Sequence, residues 1–294
     1  MHQKTLRTSC HIKGVGLHTG EETAITLMPA PVNTGVVFFV MEGGRRIEIP
    51  ARQEFVVRTT LSTTLGRDGV EIWTVEHLMA ALAGLEIDNC YVLVEGREIP
   101  AGDGSAQPFV SRIMESGRQI QSAPRRFIKI LAPIVVEEGD KVAGYYPAVS
   151  PTLSFLIDFD HQAIQTQSHK IHLNAQTFVS QLAKARTFGF VEDLEKLKAQ
   201  GYARGAELSN AVGLGKDGQV LNPDGLRYQD EFVRHKLLDA VGDLSLAGLP
   251  VLGEYRGIKS GHQFNLKLIQ ALAEEPGKWE IVTSELEEET RAAV

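Results

Sequence analysis

Two stretches of this chain, "AALAGLEIDNCYVLV" (80–94) and "LSLAGLPVLGEYRG" (244–257), run from a helix end through Leu-Ala-Gly-Leu into strand-like text. The text around them repeats too. In the first 72 residues, "TAITLMPA" (23–30), "TGVVFFV" (34–40) and "RRIEIPA" (45–51) carry β-branched and aromatic residues bounded by Pro, Gly and Asn, and read as strands. A helix follows at "TVEHLMAALAG", where Thr74 can cap and Gly84 can end it. Then come a strand, "DNCYVLVEG" (88–96), a Gly-rich turn and a helix, "FVSRIMESG" (109–117). After "SAPRRF" (122–127) strands resume in "FIKILAPIVVEE", "KVAGYYPA" and "TLSFLIDFD". Helices are expected at about 175–185, 191–200 and 228–247, then a strand near 250–256 and a last helix from 262. A repeated order of strands, helix, strand, helix predicts two similar α+β domains, 1–122 and 127–294. The segment at about 187–213 has no counterpart in the first half and reads as an insertion.

Composition narrows the function classes. A net charge of −7 with no Lys/Arg block argues against a nucleic-acid partner, although a few placed cations can still hold a phosphate. The two cysteines, Cys10 and Cys90, make no C-x-x-C pair, so a disulfide scaffold is excluded and a reducing compartment is expected. The N-terminal text lacks the apolar run of a signal peptide. Nor does any apolar stretch reach the roughly 18 residues of a membrane span. A cytoplasmic monomer without stable membrane insertion is the expectation.

The second long helix, "EFVRHKLLDAVGDL", places Asp239 roughly 40° and Asp243 roughly 80° from His235, at about 100° per residue. Val233, Leu237, Ala240, Val241 and Leu244 lie on the opposite side. Read alone, this is a solvated face with an i,i+4 His–Asp pair; the same spacing is what two metal ligands on one helix require. "TVEHL" poses the same alternative. His77 lies opposite Val75, Met79, Leu82 and Ala83, and Glu76 before it suits either a helix-dipole arrangement or a general base. If the two helix layers face each other, the outward imidazoles meet. Two His and one Asp with water make a catalytic set suited to zinc or iron(II), with Glu76 to take the proton of water. His262 in "KSGHQFN" starts a helix, where an imidazolium needs a carboxylate such as Asp243. Thr187 in "KARTFGF" can donate a hydroxyl to an oxyanion or simply end a helix.

Together, "GVGLHTG", "TVEHLMAALAGLEIDN", "EIPAGDGSAQPFV", "KARTFGF", "NPDGLRYQDEFVRHKLLDAVGDLSLAG" and "SGHQFNLKL" resemble the UDP-3-O-acyl-N-acetylglucosamine deacetylases, in order and over nearly the whole chain. The resemblance implies a zinc-dependent deacetylase of a Gram-negative bacterium, acting on a UDP-sugar with an acyl chain at the committed step of lipid A synthesis. It implies two sheets with their helix layers facing each other in a β-α-α-β sandwich. Carried over by position, His77, His235 and Asp239 match the metal ligands and Glu76 the base. His262, held protonated by Asp243, matches the group that stabilises the oxyanion or protonates the leaving amine, and Thr187 matches the oxyanion-stabilising Thr. Phe188 and Lys236 match residues of the sugar site, and Lys141 falls where a diphosphate-binding Lys is expected. Val191, Leu194 and Leu197 in the insertion match an acyl-chain passage, or simply pack a short helix. Many members carry a Cys near the metal where this chain has Ser62, and His18 in "GLHTG" reads as structural. A zinc amidase for another nucleotide-linked N-acetyl sugar and a non-catalytic structural zinc module are the alternatives; Glu76 and His262 separate them, because a closed site needs no acid or base.

Overall fold

The computed structural model describes residues 1–283; the stretch 284–294, counted above with the second domain, lies outside the described residues. The first half contains β1 (Cys10–Val15), β2 (Glu22–Pro29), β3 (Val36–Glu42), β4 (Arg45–Pro50), α1 (Glu76–Gly84), β5 (Cys90–Glu95) and α2 (Gln107–Ser116). The second contains β6 (Ile134–Glu138), β7 (Lys141–Tyr146), β8 (Thr152–Phe159), β9 (Gln165–His172), α3 (Glu231–Ser245), β10 (Glu254–Ile258) and α4 (His262–Glu274).

The main sheets run β1-β2-β5-β3-β4 and β6-β7-β10-β8-β9, the same order twice. In each, one pair is parallel, β3 with β5 and β8 with β10, and the other neighbours are antiparallel. A parallel pair needs a crossover connection, and α1 and α3 lie in those crossovers. Strand alternation sends Ile25, Leu27, Phe38 and Val92 into the core, all without exposed surface. The fold is therefore α+β, built from two sheet-on-helix halves.

The helix layers meet through α1 and α3. Gly242 on α3 allows the close approach: a Cβ there would stand 2.0 Å from the carbonyl oxygen of Glu76. Every residue of α1 from Glu76 to Leu82 is consequently buried. The polar faces that a helix wheel assigns to solvent are each covered by the other helix.

Several local expectations are corrected. Thr74 does not cap α1: it has φ +60 and gives its hydroxyl to Glu98 Oε1 at 2.8 Å, while Val75 stands at the cap without a side-chain bond. "FIKILAPIVVEE" is two strands, Arg126–Ile130 and β6, separated around Pro133, which has no N–H to offer a ladder. The strand near 250–256 also splits, into Val251–Leu252 and β10. Instead of one α-helix, 175–185 holds a turn at Ala175–Thr177, boxed by Asn174, and a wider π turn at Phe178–Leu182. The insertion folds as strand Phe188–Phe190, helix Leu194–Ala199 and strand Val212–Leu214, the strands parallel. It is tied to the first half where Arg204 N donates to His18 O and Gly205 N to Leu17 O, both at 3.1 Å. Among the described residues no helix is long and apolar enough to cross a membrane.

Candidate metal centre

His77, the second residue of α1, faces His235 and Asp239, which stand one turn apart on α3. His77 Nε2 and His235 Nε2 approach the same oxygen, Asp239 Oδ1, at 3.4 and 3.3 Å. One ligand atom from each residue lies within 4.8 Å of the others, the geometry of a group able to hold a metal ion. The imidazole rings stand 5.0 Å apart at 85°. All three side chains are buried. His235 Nδ1 donates to the carbonyl of Ala185 at 3.2 Å, which turns Nε2 toward Asp239. Burial lowers the His235 pKa to about 3, keeping it in the neutral form a metal accepts. Burial also acts downward on His77, but its bond to Asp239 raises it. On Asp239 burial acts upward, yet His235 and Lys236 hold it well below the usual carboxylate range. Lys236 Nζ donates to the other oxygen, Asp239 Oδ2, at 2.6 Å.

Two further groups border these three side chains. Glu76, buried at the start of α1, accepts the backbone N–H of Thr63 at 3.0 Å, and burial raises its pKa to about 7. His262, the first residue of α4, donates from Nδ1 to Asp243 Oδ2 at 2.8 Å. Burial would lower His262, but the Asp243 carboxylate outweighs it and brings the pKa to about 9. Asp243 is itself held by Thr63 Oγ1 at 2.6 Å and Asn265 Nδ2 at 2.8 Å. His262 Nε2 reaches to 4.0 Å from Asp239 Oδ2. The pocket thus combines three side chains able to hold a metal ion, a carboxylate poised near neutrality and an imidazole that stays charged.

The start of the insertion closes one side. Thr187 is half-buried, its N–H bonded to Gly104 O at 2.8 Å. The Phe188 ring centroid lies 6.2 Å from that of His235 and 5.0 Å from that of Phe232. Lys141, exposed opposite Glu138, and Val191, Leu194 and Leu197, exposed or half-buried around their short helix, make none of these contacts. His18 is buried against Tyr202 with a ring separation of 5.5 Å, and its Nδ1 accepts Ala203 N at 3.3 Å. A cavity of about 1140 Å³ lies elsewhere, at the C-terminal ends of α1 and α3 between Met79, Leu82, Val241 and Leu244. None of His77, His235 and Asp239 lines it.

Thr63, Asn265, Arg186 and Glu231 escape a sequence reading. Glu231 left a trace, standing one turn before His235 on the same helix, and Asn265 stands one turn after His262. Thr63 adjoins the noted Ser62, and Arg186 adjoins Thr187, but no periodicity marks either.

The family described as UDP-3-O-acyl N-acetylglycosamine deacetylase matches residues 3–274. The UDP-3-O-acyl-N-acetylglucosamine deacetylase of Marinobacter nauticus is 47% identical over 285 residues, spanning 96% of this chain and 93% of that protein. That of Hahella chejuensis is 48% identical over 285 residues, spanning 96% and 94%. A match of this length and identity, on a fold that brings two His and an Asp together beside a buried Glu, shows that the chain belongs to the UDP-3-O-acyl N-acetylglycosamine deacetylase family.

Proposed function

We propose that this chain hydrolyses the N-acetyl group of UDP-3-O-acyl-N-acetylglucosamine in the cytoplasm, giving UDP-3-O-acyl-glucosamine and acetate. The observation that carries the reading is the convergence of His77 from one half with His235 and Asp239 from the other, with Glu76 and His262 beside them. The donor set fits zinc: two imidazole nitrogens and one carboxylate oxygen around a common point, with His235 oriented from behind by Ala185. Iron(II) accepts the same donors. Bound there, the ion supplies Lewis acidity toward water and the acetyl carbonyl. Three protein ligands match a catalytic site, which leaves a position open, better than a closed structural one.

The remaining chemistry belongs to the chain. Glu76 takes the proton of the attacking water, and its site near neutrality suits a group that must accept a proton and give it up. His262, charged through Asp243, stabilises the oxyanion of the tetrahedral intermediate, together with the Thr187 hydroxyl. The amine leaves once protonated, and at that stage both Glu76 and His262 carry a proton. Lys236 and Phe188 border the sugar, Lys141 receives the diphosphate, and the insertion, with Val191, Leu194 and Leu197, accommodates the acyl chain.

Metal analysis of the purified protein, paired with a deacetylation assay on UDP-3-O-acyl-N-acetylglucosamine with and without chelator, tests this. One zinc per chain and chelator-sensitive, zinc-restored turnover are expected. Undiminished turnover by metal-free protein would contradict the metal reading, and faster turnover of another nucleotide-linked N-acetyl sugar would contradict the substrate.

A further inference from the structure

Arg186 is 2% exposed and heads the fully buried side chains by volume. Its partner is Glu231, fully buried at the first turn of α3. Glu231 Oε1 accepts Arg186 N at 3.0 Å and Nε at 2.9 Å. Glu231 Oε2 accepts Arg186 Nη2 at 3.2 Å and the backbone N–H of Arg227 at 2.6 Å. Arg186 Nη2 also donates to the carbonyl of Gly225 at 2.7 Å. With Arg186 Nη1 also donating to Asp224 Oδ2 at 3.4 Å, the fork of the guanidinium is used on three acceptors, a geometry Lys cannot reproduce.

The neighbours of Arg186 give this pair its meaning. Ala185, just before it, holds His235 Nδ1. Thr187, just after it, bonds through its N–H to Gly104 in the first half, and Phe188 packs edge-on to His235 and Phe232. Glu231 is one turn from His235 on the same helix, so loop and helix are joined at two points a turn apart. A loop fixed to a helix at two such points cannot pivot about either. Through Arg227, whose backbone N–H Glu231 also holds, the unit extends to Asp103 of the first half, at 2.7 Å from Arg227 Nη1. A buried ion pair alone is poor evidence for stability, since apolar residues of similar volume often serve as well.

The geometry points to Arg186 and Glu231 as a positioning pair that sets His235, Thr187 and Phe188 as one unit. This role rests on the metal reading above. Neither residue touches the ligand atoms; they act through the Ala185 carbonyl and the course of the loop.

The test compares wild type with Arg186→Lys and with the double variant Arg186→Met/Glu231→Leu. The double variant leaves no unpaired buried charge, and because Glu231 also accepts the backbone N–H groups of Arg186 and Arg227 its fold is checked directly, with Arg186→Lys, which keeps Glu231, as the second variant; Arg186→Met alone is avoided because it strands Glu231. Zinc affinity is measured by chelator competition, the fold by thermal denaturation, and kcat and KM separately. In both variants, folded at 25 °C, zinc affinity is expected to fall about 10–100-fold, as for lost partners of metal-ligating His. A drop in kcat larger than the rise in KM should accompany it. A purely structural anchor would instead give a folded double variant with wild-type zinc affinity and kcat, and that result overturns the proposal. Wild type that binds no zinc through His235, judged against His235→Ala, would overturn the metal reading itself, a failure visible before any Arg186 variant is examined.

Discussion

In the proposed reaction Glu76 and His262 work in opposite protonation states, arranged by burial for Glu76 and by the Asp243 carboxylate, against burial, for His262. Glu76 acts as base only when ionised, so activity rises with pH through its pKa of about 7, a limb that a neighbouring cation moves downward. His262 acts as a cation, so activity falls as pH rises through about 9. The profile of kcat/KM is therefore expected to be bell-shaped, and His262→Gln should lose its alkaline limb; a variant that keeps the limb would remove His262 from that role. Glu76→Ala should retain the metal while turnover drops about 10²–10⁴-fold, and near-normal turnover would refute the base. The i,i+4 spacing of His235 and Asp239 is legible from the text alone because both stand on one helix. Thr63 is not, because it meets Asp243 from 180 residues away, and a contact made by folding leaves no local pattern.

At the scale of elements, the crossing of α1 and α3 sets the distance between the candidate ligands drawn from two halves. Gly242→Ala would drive a methyl group into the Glu76 backbone, 2.0 Å away, which neither helix can relieve by turning a side chain. Such overpacking typically costs about 1–3 kcal/mol. A lower thermal midpoint together with weaker metal binding is expected, and a variant with an unchanged midpoint would show that the helices have slack. Helical spacing and strand composition made most elements legible in advance. The cover over each polar face was not, because a wheel describes one helix and the cover comes from its partner. Thr74 was misread for a related reason: a cap signal depends on the backbone entering the helix, and here the residue turns back to a buried Glu98.

For the whole molecule, a single apolar cluster runs through both halves, from Ile25 and Phe38 to Phe155 and Leu268, without passing through the ligand side chains. Removing metal should therefore abolish turnover while leaving the far-UV circular dichroism unchanged and lowering the thermal midpoint only modestly. Global unfolding on adding chelator would show that the site, and not the core, holds the halves together. The repeated order of elements was readable from the text, but the parallel pairing inside each sheet was not, since it depends on which strands a crossover brings side by side.

Two sheets share one strand order in a single chain, yet their helices carry different side chains at matching places. In the register of the Leu-Ala-Gly-Leu echo, His77 corresponds to Val241, and His235 to Glu71. Separate identical copies would have to change together. Two halves of one chain can differ, and here one carries Glu76 and His77 and the other His235, Asp239 and His262. The asymmetry of the site rests on that freedom.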